Sequence, residues 1–276
     1  MTLLAVAVGD RGLVDPGEPV LRADDEALLR GRAAFETVRV YRGRSYRLSE
    51  HLARLGRSAE RIGLPTVNAR QLEALADQAI EAAGGGDAVL RLFWTPGNGE
   101  GSPTSLALVS ELPTHYDALR ERGQRLITLR GIRAEEPWLL PGVKSTSYAV
   151  NMAAEAEARR RGADDALFVD HEGVVLEGPT TNIWWRRDRT LYTPQLELGI
   201  LAGVTRAVVL DLAVVLAYEV VEGVFPLSDL TSADEAFTSS SIREVMPVTE
   251  LDERPLGRGP AADALQAMLH EEATQS

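Results

Sequence analysis

The sequence predicts an α+β protein made of two halves, and three observations support this. The 276 residues are enough for one large domain or two smaller ones. Short apolar strands and amphipathic helices are mixed along the whole chain. The stretch from Leu112 to Arg122 separates a first part of about 110 residues, an ordinary domain size, from the rest. We therefore expect a small α+β domain at 1–112, a linker at 113–123 and a large domain at 124–276.

The elements expected in the small domain follow from apolar periodicity and turn residues. Apolar residues spaced three and four apart predict a helix at Leu48–Ile62. A second helix is expected at Gln71–Ala83, where three glycines end it. The remaining apolar runs are bounded by turn residues and predict strands at Leu3–Val8, Phe35–Tyr41, Ser45–Leu48, Ala88–Thr95 and Ser105–Ser110.

The large domain has the same mixture of elements. A long helix is expected at 146–161, because Gly162 provides an end signal. Two further helices are expected at 203–216 and 261–272. Short apolar runs between turns predict strands at Arg125–Arg130, Ala166–Asp170, Val174–Leu176, Asn182–Arg186, Thr190–Tyr192 and Ala236–Ser239.

Charge and composition limit the class of protein. A net charge of −12 and a pI near 4.9 argue against nucleic acid or an anionic membrane as the main partner. The chain has no cysteine, which excludes disulfides and thiolate metal sites, and we expect no metal. No apolar stretch reaches membrane-spanning length, and the N-terminus shows no basic leader pattern. A cytoplasmic location is expected.

The basic residues are unusual, because Lys144 is the only lysine in the chain and all the others are arginines. A guanidinium remains protonated at working pH, whereas a lysine amine can lose its proton and become a nucleophile. A lysine retained against this bias suggests amine chemistry. The count alone is equally compatible with a leftover surface lysine.

A lysine amine can form a Schiff base with pyridoxal 5'-phosphate (PLP), and the sequence offers a candidate for each part that PLP requires. Lys144, in PGVKSTSYAVN, supplies the amine for a Schiff base. Gly203, Val204 and Thr205, in GILAGVTR, begin a helix whose N–H groups form an anion site, although such a pattern is often only a capped helix. The run Thr238–Ser241 can add hydroxyl groups, or it is simply a polar turn.

Two charged residues complete this set. Arg54 can provide positive charge for the phosphate, although a lone arginine on an amphipathic helix usually faces solvent. Glu177 follows the expected strand at Val174–Leu176 and can hold the pyridine nitrogen protonated, which keeps the ring an electron sink. The alternative for Glu177 is a solvated carboxylate at the end of a hairpin.

In motifs that cover nearly the whole chain, from about Gly31 to Val248, the sequence resembles the class IV aminotransferases, which are fold-type IV PLP enzymes. The family includes branched-chain and D-amino acid aminotransferases, R-selective amine transaminases and aminodeoxychorismate lyases. The motifs occur in family order: GRAAFETVRVY (31–41), HLARLGRSA (51–59), VKSTSYAVNMAAEAEARRRGADDALF (143–168), LEGPTTNIW (176–184), GILAGVTR (199–206) and FTSSSIREVMPV (237–248).

The resemblance implies roles for individual residues. Lys144 corresponds to the Schiff-base lysine, Arg54 to the phosphate arginine and Glu177 to the glutamate on the pyridine nitrogen. The other cofactor-binding residues that it implies are Tyr148, Leu201, Gly203, Val204, Thr205, Ser240 and Ser241. It further implies a homodimer and a fold with a small N-terminal α/β domain and a larger C-terminal domain that has a β-barrel-like sheet and flanking helices.

The substrate is less well defined. Phe35, Thr37 and Arg39 lie two residues apart on an expected strand and would share one face, where substrate residues are expected. Aminodeoxychorismate lyases also carry a threonine at the position of Thr37. The loop Trp94–Pro103 lacks the basic residues that D-amino acid enzymes carry, and Tyr148 matches the aminotransferase tyrosine only if one residue is lost after Lys144.

The leading prediction is therefore a transaminase that moves an amino group between an amino acid or primary amine and a keto acid. The alternative is an aminodeoxychorismate lyase that releases pyruvate and gives 4-aminobenzoate. A non-enzymatic PLP-binding protein is a remote third reading, because a carrier has no use for a carboxylate on the pyridine nitrogen.

Overall fold

The computed structural model of the chain describes residues 2–97, 103–131 and 137–275. The chain divides into two compact units. Unit 1 comprises Met1–Pro113 and Val143–Tyr148, and unit 2 comprises Thr114–Gly142 and Ala149–Ser276. The segment that carries Lys144 thus groups with unit 1, although the sequence places it within the predicted large domain at 124–276.

Unit 1 is built on one antiparallel sheet of six strands in the order β2-β1-β6-β5-β3-β4. The strands are β1 (Leu3–Val8), β2 (Gly12–Val14), β3 (Ala34–Tyr41), β4 (Arg44–Ser45), β5 (Ala88–Thr95) and β6 (Thr104–Ser110). The helices of this unit are α1 (Glu26–Arg30), α2 (Leu48–Arg61) and α3 (Ala69–Ala82).

The core of unit 1 lies between the sheet and the helices α2 and α3. Leu52 and Leu55 of α2 and Leu72 of α3 are buried in one cluster with Val38 and Val40 of β3. The i, i+3 spacing predicted from the sequence produces this buried helix face. The helix expected at Leu48–Ile62 and the strand expected at Ala88–Thr95 are confirmed.

Unit 2 contains an eight-stranded mixed sheet with the path β11-β10-β9-β12-β13-β7-β8, on which β14 pairs with β13. The strands are β7 (Gln124–Arg130), β8 (Asp165–Val169), β9 (Asn182–Arg187), β10 (Thr190–Pro194), β11 (Glu219–Gly223), β12 (Glu235–Ser240), β13 (Glu244–Leu251) and β14 (Arg254–Pro255). The helices are α4 (His115–Arg122), α5 (Ala149–Arg160), α6 (Val204–Val215), α7 (Leu227–Thr231) and α8 (Pro260–Gln275), with 3-10 turns at Pro137–Leu139 and Leu196–Leu198.

Two predicted elements of the large domain differ from the structure. The helix expected at 146–161 begins only at Ala149, because the backbone before it bonds to β3: Thr146 N–H donates to Ala33 O at 2.9 Å. Val174–Leu176 is wrong as a regular strand, since its pairing consists of isolated bridges to Val169 and Pro226. In both cases partners distant in sequence decide the backbone conformation.

Two eight-residue elements were not predicted: α4, which lies within the expected linker at 113–123, and β13. Pro247 in its interior argues against a strand, because proline has no N–H to donate. The structure tolerates it because the ladder to β7 starts one residue later, at the pair Val248–Gln124. None of the helices formed by the described residues has the length and apolarity needed to span a membrane.

Candidate active site

Lys144 is buried in unit 1, with only 9% of its surface exposed. Its Nζ lies 4.3 Å from the ring centre of Phe35 and 5.5 Å from that of Tyr148, and these two rings pack edge to face. The structure therefore excludes the reading of Lys144 as a leftover surface lysine. The amine is placed against two aromatic faces.

The backbone around Lys144 is fixed to β3 and α2. Phe35 N–H donates to Lys144 O at 3.2 Å, and Ser145 forms an antiparallel bridge with Ala34. The N–H of Lys144 itself donates to the Oγ of Ser58 at 3.1 Å. Because these partners lie on a strand and a helix, the lysine is attached to rigid elements.

Arg54 is buried on α2 and belongs to a charged cluster with Glu36 and His51. Its Nε donates to Glu36 Oε1 and its Nη2 to Glu36 Oε2, each at 2.7 Å. The Nδ1 of His51 donates to the same Oε2 at 2.8 Å. The alternative placement of Arg54 on a solvated helix face is thus wrong, because a buried carboxylate fixes the guanidinium.

Burial and pairing oppose each other at Glu36. Burial raises the pKa of the Glu36 carboxyl, but hydrogen bonds from Arg54 and His51 outweigh it and lower that pKa from 4.5 to about 2. Burial also lowers the pKa of His51. The contact with Glu36 raises this pKa, whereas the nearby positive charges of Arg54 and Lys144 lower it further. The cluster at neutral pH therefore consists of one carboxylate, one guanidinium and a neutral imidazole.

Phe35, Thr37 and Arg39 share one face of β3, as the alternation predicted, while Glu36 and Val38 point to the core. This face continues on β5, where Phe93 pairs with Phe35 and Arg91 pairs with Thr37. The two phenylalanine rings stack with centres 5.9 Å apart. Phe35 and Phe93 therefore form an aromatic surface next to the Lys144 amine, and Thr37 lies further along the same face. The guanidinium groups have other partners, since Arg39 pairs with Asp87 at 3.5 Å and Arg91 Nη1 donates to Ser110 Oγ at 3.2 Å.

In unit 2, Glu177 is half-buried and contacts the loop before α6. The N–H of Leu201 lies 3.1 Å from each of its two carboxylate oxygens. Asn182 Nδ2 donates to Glu177 Oε2 at 3.3 Å. The carboxylate is therefore held in place by donors, in contrast to the alternative of a solvated hairpin end.

The helix start predicted at Gly203 is present in unit 2. α6 begins at Val204, with Gly203 as its cap in an extended conformation. The N–H groups of the first helical turn point along the axis and carry the positive end of the helix dipole. Ser240 ends β12 and, with Ser241, lies at the turn into β13, where Arg243 N–H donates to Ser240 Oγ at 3.3 Å.

The sequence did not single out Glu36, His51, Ser58 or Asn182. A signal for Glu36 was available, because it alternates with Val38 and Val40 on the core face of a predicted strand. A carboxylate on a core face requires a charged partner. The partners of Ser58 and Asn182 are separated from them by up to 86 residues and have no local signature. The expected basic-poor loop Trp94–Pro103 lies partly outside the described residues, at 98–102.

The model of the amino-transferase class IV family matches residues 33–251. The chain belongs to the class IV aminotransferase family. A bifunctional aminodeoxychorismate lyase / D-amino acid transaminase of Mycobacterium tuberculosis is 34% identical to this class IV enzyme, over 94% of this chain and 96% of the relative. A fold IV transaminase, CpuTA1, from Curtobacterium pusillum is 36% identical, with a TM-score of 0.87 over 96% of this chain and 93% of that one.

Structures of a hypothetical aminotransferase from Mycobacterium tuberculosis include a PLP-bound form with a TM-score of 0.90 and 34% identity, covering 98% of both chains. A second form of that protein contains α-ketoglutarate and pyridoxamine phosphate, PMP. The predicted family, fold class and cofactor are confirmed, and this class IV aminotransferase is a PLP enzyme. That membership rules out the remote alternative of a non-enzymatic PLP-binding protein.

The residues present fit PLP. The cofactor needs an amine, cationic and N–H donors for a phosphate, and a carboxylate for a pyridinium nitrogen. The structure provides a buried lysine amine, a buried guanidinium, a helix start with a glycine cap and a carboxylate held by N–H donors. Each group lies on a helix, a strand or a loop fixed by hydrogen bonds.

Proposed function

We propose that this class IV aminotransferase is a transaminase that exchanges an amino group between an amino acid or primary amine and a keto acid. The observation that carries the proposal is the buried Lys144 amine next to the half-buried β3–β5 surface of Phe35, Thr37 and Phe93. Transamination needs a keto acid to take up the amino group. The α-ketoglutarate in a relative's structure supports an acceptor of this kind.

In the proposed mechanism, bound PLP supplies an electron sink for negative charge at the substrate carbon. Lys144 Nζ accepts the proton from that carbon and returns it to the cofactor carbon that receives the amino group. A lysine can perform both transfers because its amine gains and loses a proton, which a guanidinium does not. The aromatic rings of Phe35 and Tyr148 hold Nζ in place and shield it from water.

The remaining residues bind and orient. Glu177 holds a proton on the pyridine nitrogen, since its carboxylate is kept in place by Leu201 N–H. Arg54 binds the phosphate, with Glu36 fixing the plane of its guanidinium. The N–H groups of Val204 and Thr205 and the hydroxyl groups of Thr205, Ser240 and Ser241 provide further phosphate donors. Leu201 packs against the cofactor ring.

Aminodeoxychorismate lyase activity is the second candidate. Thr37 lies on the β3–β5 surface, and a lyase uses the same amine for the same proton transfer. The bifunctional relative supports this option as well as the first. The two reactions differ in one respect: a lyase releases pyruvate and needs no acceptor, whereas a transaminase leaves PMP until a keto acid arrives.

One experiment separates the two reactions. The purified PLP-loaded protein is mixed with individual L- and D-amino acids and amines, and its spectrum is recorded before and after a keto acid is added. We expect donor alone to convert the cofactor to PMP and the acceptor to restore it. Stoichiometric pyruvate from aminodeoxychorismate, without PMP formation by any donor, would instead establish the lyase. Both signals together would indicate a bifunctional enzyme.

We further propose that the protein forms a homodimer. Large apolar side chains are exposed in each unit, with Leu28 and Leu29 in unit 1 and Trp138 and Met152 in unit 2. Exposed apolar groups of this size are typical of protein interfaces. Light scattering during gel filtration should give a mass twice the 29.9 kDa of one chain, and a monomer mass at all concentrations would contradict the proposal.

A further inference from the structure

We propose that Asn182 is a positioning residue for the cofactor site. Its side chain fixes the positions of Glu177, the Leu201 backbone and the start of α6 relative to one another. The inference rests on the proposed roles of Glu177 and of the α6 N-terminus. Those roles do not involve Asn182, so the inference assigns a new function to this residue. It also explains why position 203 is a glycine.

Asn182 is well suited to hold other groups in place. It is the first residue of β9, it is 4% exposed, and its backbone pairs with Ser239 of β12. A side chain that leaves a strand inside a sheet has little freedom to move, because both the backbone and the surroundings are fixed. Contacts made by this amide are therefore made at a defined position.

The amide nitrogen of Asn182 is shared between two acceptors. Nδ2 donates to the carbonyl of Leu201 at 2.9 Å and lies 3.3 Å from Glu177 Oε2. The N–H of the same Leu201 lies 3.1 Å from both oxygens of Glu177. Asn182, Glu177 and Leu201 thus form a closed set of contacts, in which the amide determines where the carboxylate and the leucine backbone lie.

The amide oxygen of Asn182 constrains the start of α6. A Cβ atom at Gly203 would lie 2.1 Å from Asn182 Oδ1 and 3.1 Å from Arg206 Cβ. The φ of Gly203 is −64°, which any L-residue can adopt. The requirement for glycine is therefore steric, and Asn182 imposes it. One side chain couples the proposed pyridine carboxylate to the proposed phosphate helix.

Only an asparagine satisfies both ends of this arrangement. An aspartate of the same size would present a second acceptor and a second negative charge to Leu201 O and Glu177. An alanine would remove both donor contacts and leave space beside Gly203. We expect either change to loosen Glu177 and weaken cofactor binding without removing any group that touches the cofactor in the proposed site.

The first test compares Asn182→Ala and Asn182→Ser with Thr180→Ala, an exposed position in the bend just before β9. PLP labelled with 15N at the pyridine nitrogen reports whether that nitrogen is protonated, and a PLP titration gives its Kd. We expect the PLP Kd to rise about tenfold in the Asn182 variants, because each loses one hydrogen bond to a charged group. The 15N resonance should titrate as pH rises in these variants and remain protonated in the parent and in Thr180→Ala.

Glu177→Gln is measured in the same way, and it separates this inference from the proposed function. If Glu177→Gln changes the 15N resonance and the Asn182 variants change neither the resonance nor Kd, the proposed function stands and the positioning role is overturned. If Glu177→Gln leaves the resonance unchanged, the proposed role of Glu177 is wrong. The role of Asn182 is then decided by its coupling to Gly203 at the start of α6.

That coupling is tested with a double-mutant cycle. Gly203→Ala alone should raise the PLP Kd by about a hundredfold, because the new methyl group meets Asn182 Oδ1 at the proposed phosphate site. In the Asn182→Ala background the same change should raise Kd less than about threefold, since the obstacle is gone. Melting curves of each apoprotein verify folding. Equal effects of Gly203→Ala in both backgrounds would overturn the inference.

Discussion

The Lys144 region of unit 1 and the Glu177 region of unit 2 are built on different principles. In unit 1, the buried carboxylate of Glu36 is held by the buried guanidinium of Arg54 and by His51. In unit 2, the half-buried carboxylate of Glu177 is held by a neutral amide and a backbone N–H.

This difference predicts which substitutions alter folding and which alter only cofactor binding. A buried charge is stable only with its partner, so a change in the Glu36–Arg54–His51 cluster alters folding as well as cofactor binding. Glu177 is half-buried and is held by neutral donors, so a substitution there leaves no buried charge without a partner. We expect such substitutions to change cofactor binding and not folding. Four predictions test this contrast, from the largest effect to the smallest.

Lys144→Ala should abolish turnover, a loss of at least about 10⁴-fold, because the amine is both the nucleophile and the proton carrier. Lys144→Arg should be equally inactive, since arginine remains protonated. The near-visible absorbance of lysine-bound PLP should disappear in both variants, while PLP still binds through its phosphate. Substantial turnover in either variant would remove the basis of the whole assignment.

Glu36→Gln should destabilise the protein by about 3–5 kcal/mol, because it leaves the Arg54 guanidinium buried without its counter-charge. Urea unfolding of the apoprotein measures this. Glu60→Gln, on the exposed face of the same helix α2, is the matched control and should change stability by less than about 0.5 kcal/mol. If the two variants lose similar free energy of unfolding, the buried Glu36–Arg54 pair does not stabilise the fold.

Arg54→Ala should weaken PLP binding by about 30- to 150-fold, the equivalent of roughly 2–3 kcal/mol for charge-assisted contacts with a phosphate. At saturating PLP, kcat should change little. The variant should also be less stable, since Glu36 loses its main partner. Arg57→Ala, exposed on α2, is the control, and an unchanged PLP Kd in Arg54→Ala would leave the arginine with only a structural role.

The pH dependence of stability sharpens the same contrast. The pKa of Glu36 falls from its ordinary 4.5 to about 2 in the folded protein, so its contribution is complete above pH 4.5 and is lost as pH falls towards 2. About 1 kcal/mol of this contribution should be lost between pH 7 and pH 4. The lowered pKa of His51 acts in the same direction.

Urea midpoints at pH 7 and pH 4 should therefore differ more for the parent than for Glu36→Gln, which lacks the titrating group. Glu60→Gln should behave as the parent does. If the parent and Glu36→Gln lose stability in parallel on acidification, the low pKa of Glu36 is not a source of stability.

Much of the fold could be predicted from local pattern. The helix α2 and the strand β5 follow from apolar spacing and agree with the structure, because their buried faces repeat with the period of the element. The elements that failed depend on distant partners. Thr146 bonds to Ala33 instead of continuing a helix, and β13 contains a proline that only its pairing register accommodates.

The sequence by itself determined that Lys144 is the only amine of its kind, that the motifs belong to one family, and that Phe35, Thr37 and Arg39 share a strand face. Only the tertiary structure decided that Lys144 packs on Phe35 and Tyr148, and that Arg54 is buried against Glu36 and His51. The reason is physical. Residue type and periodicity are local properties of the chain, whereas burial and charge pairing arise only when segments distant in sequence meet.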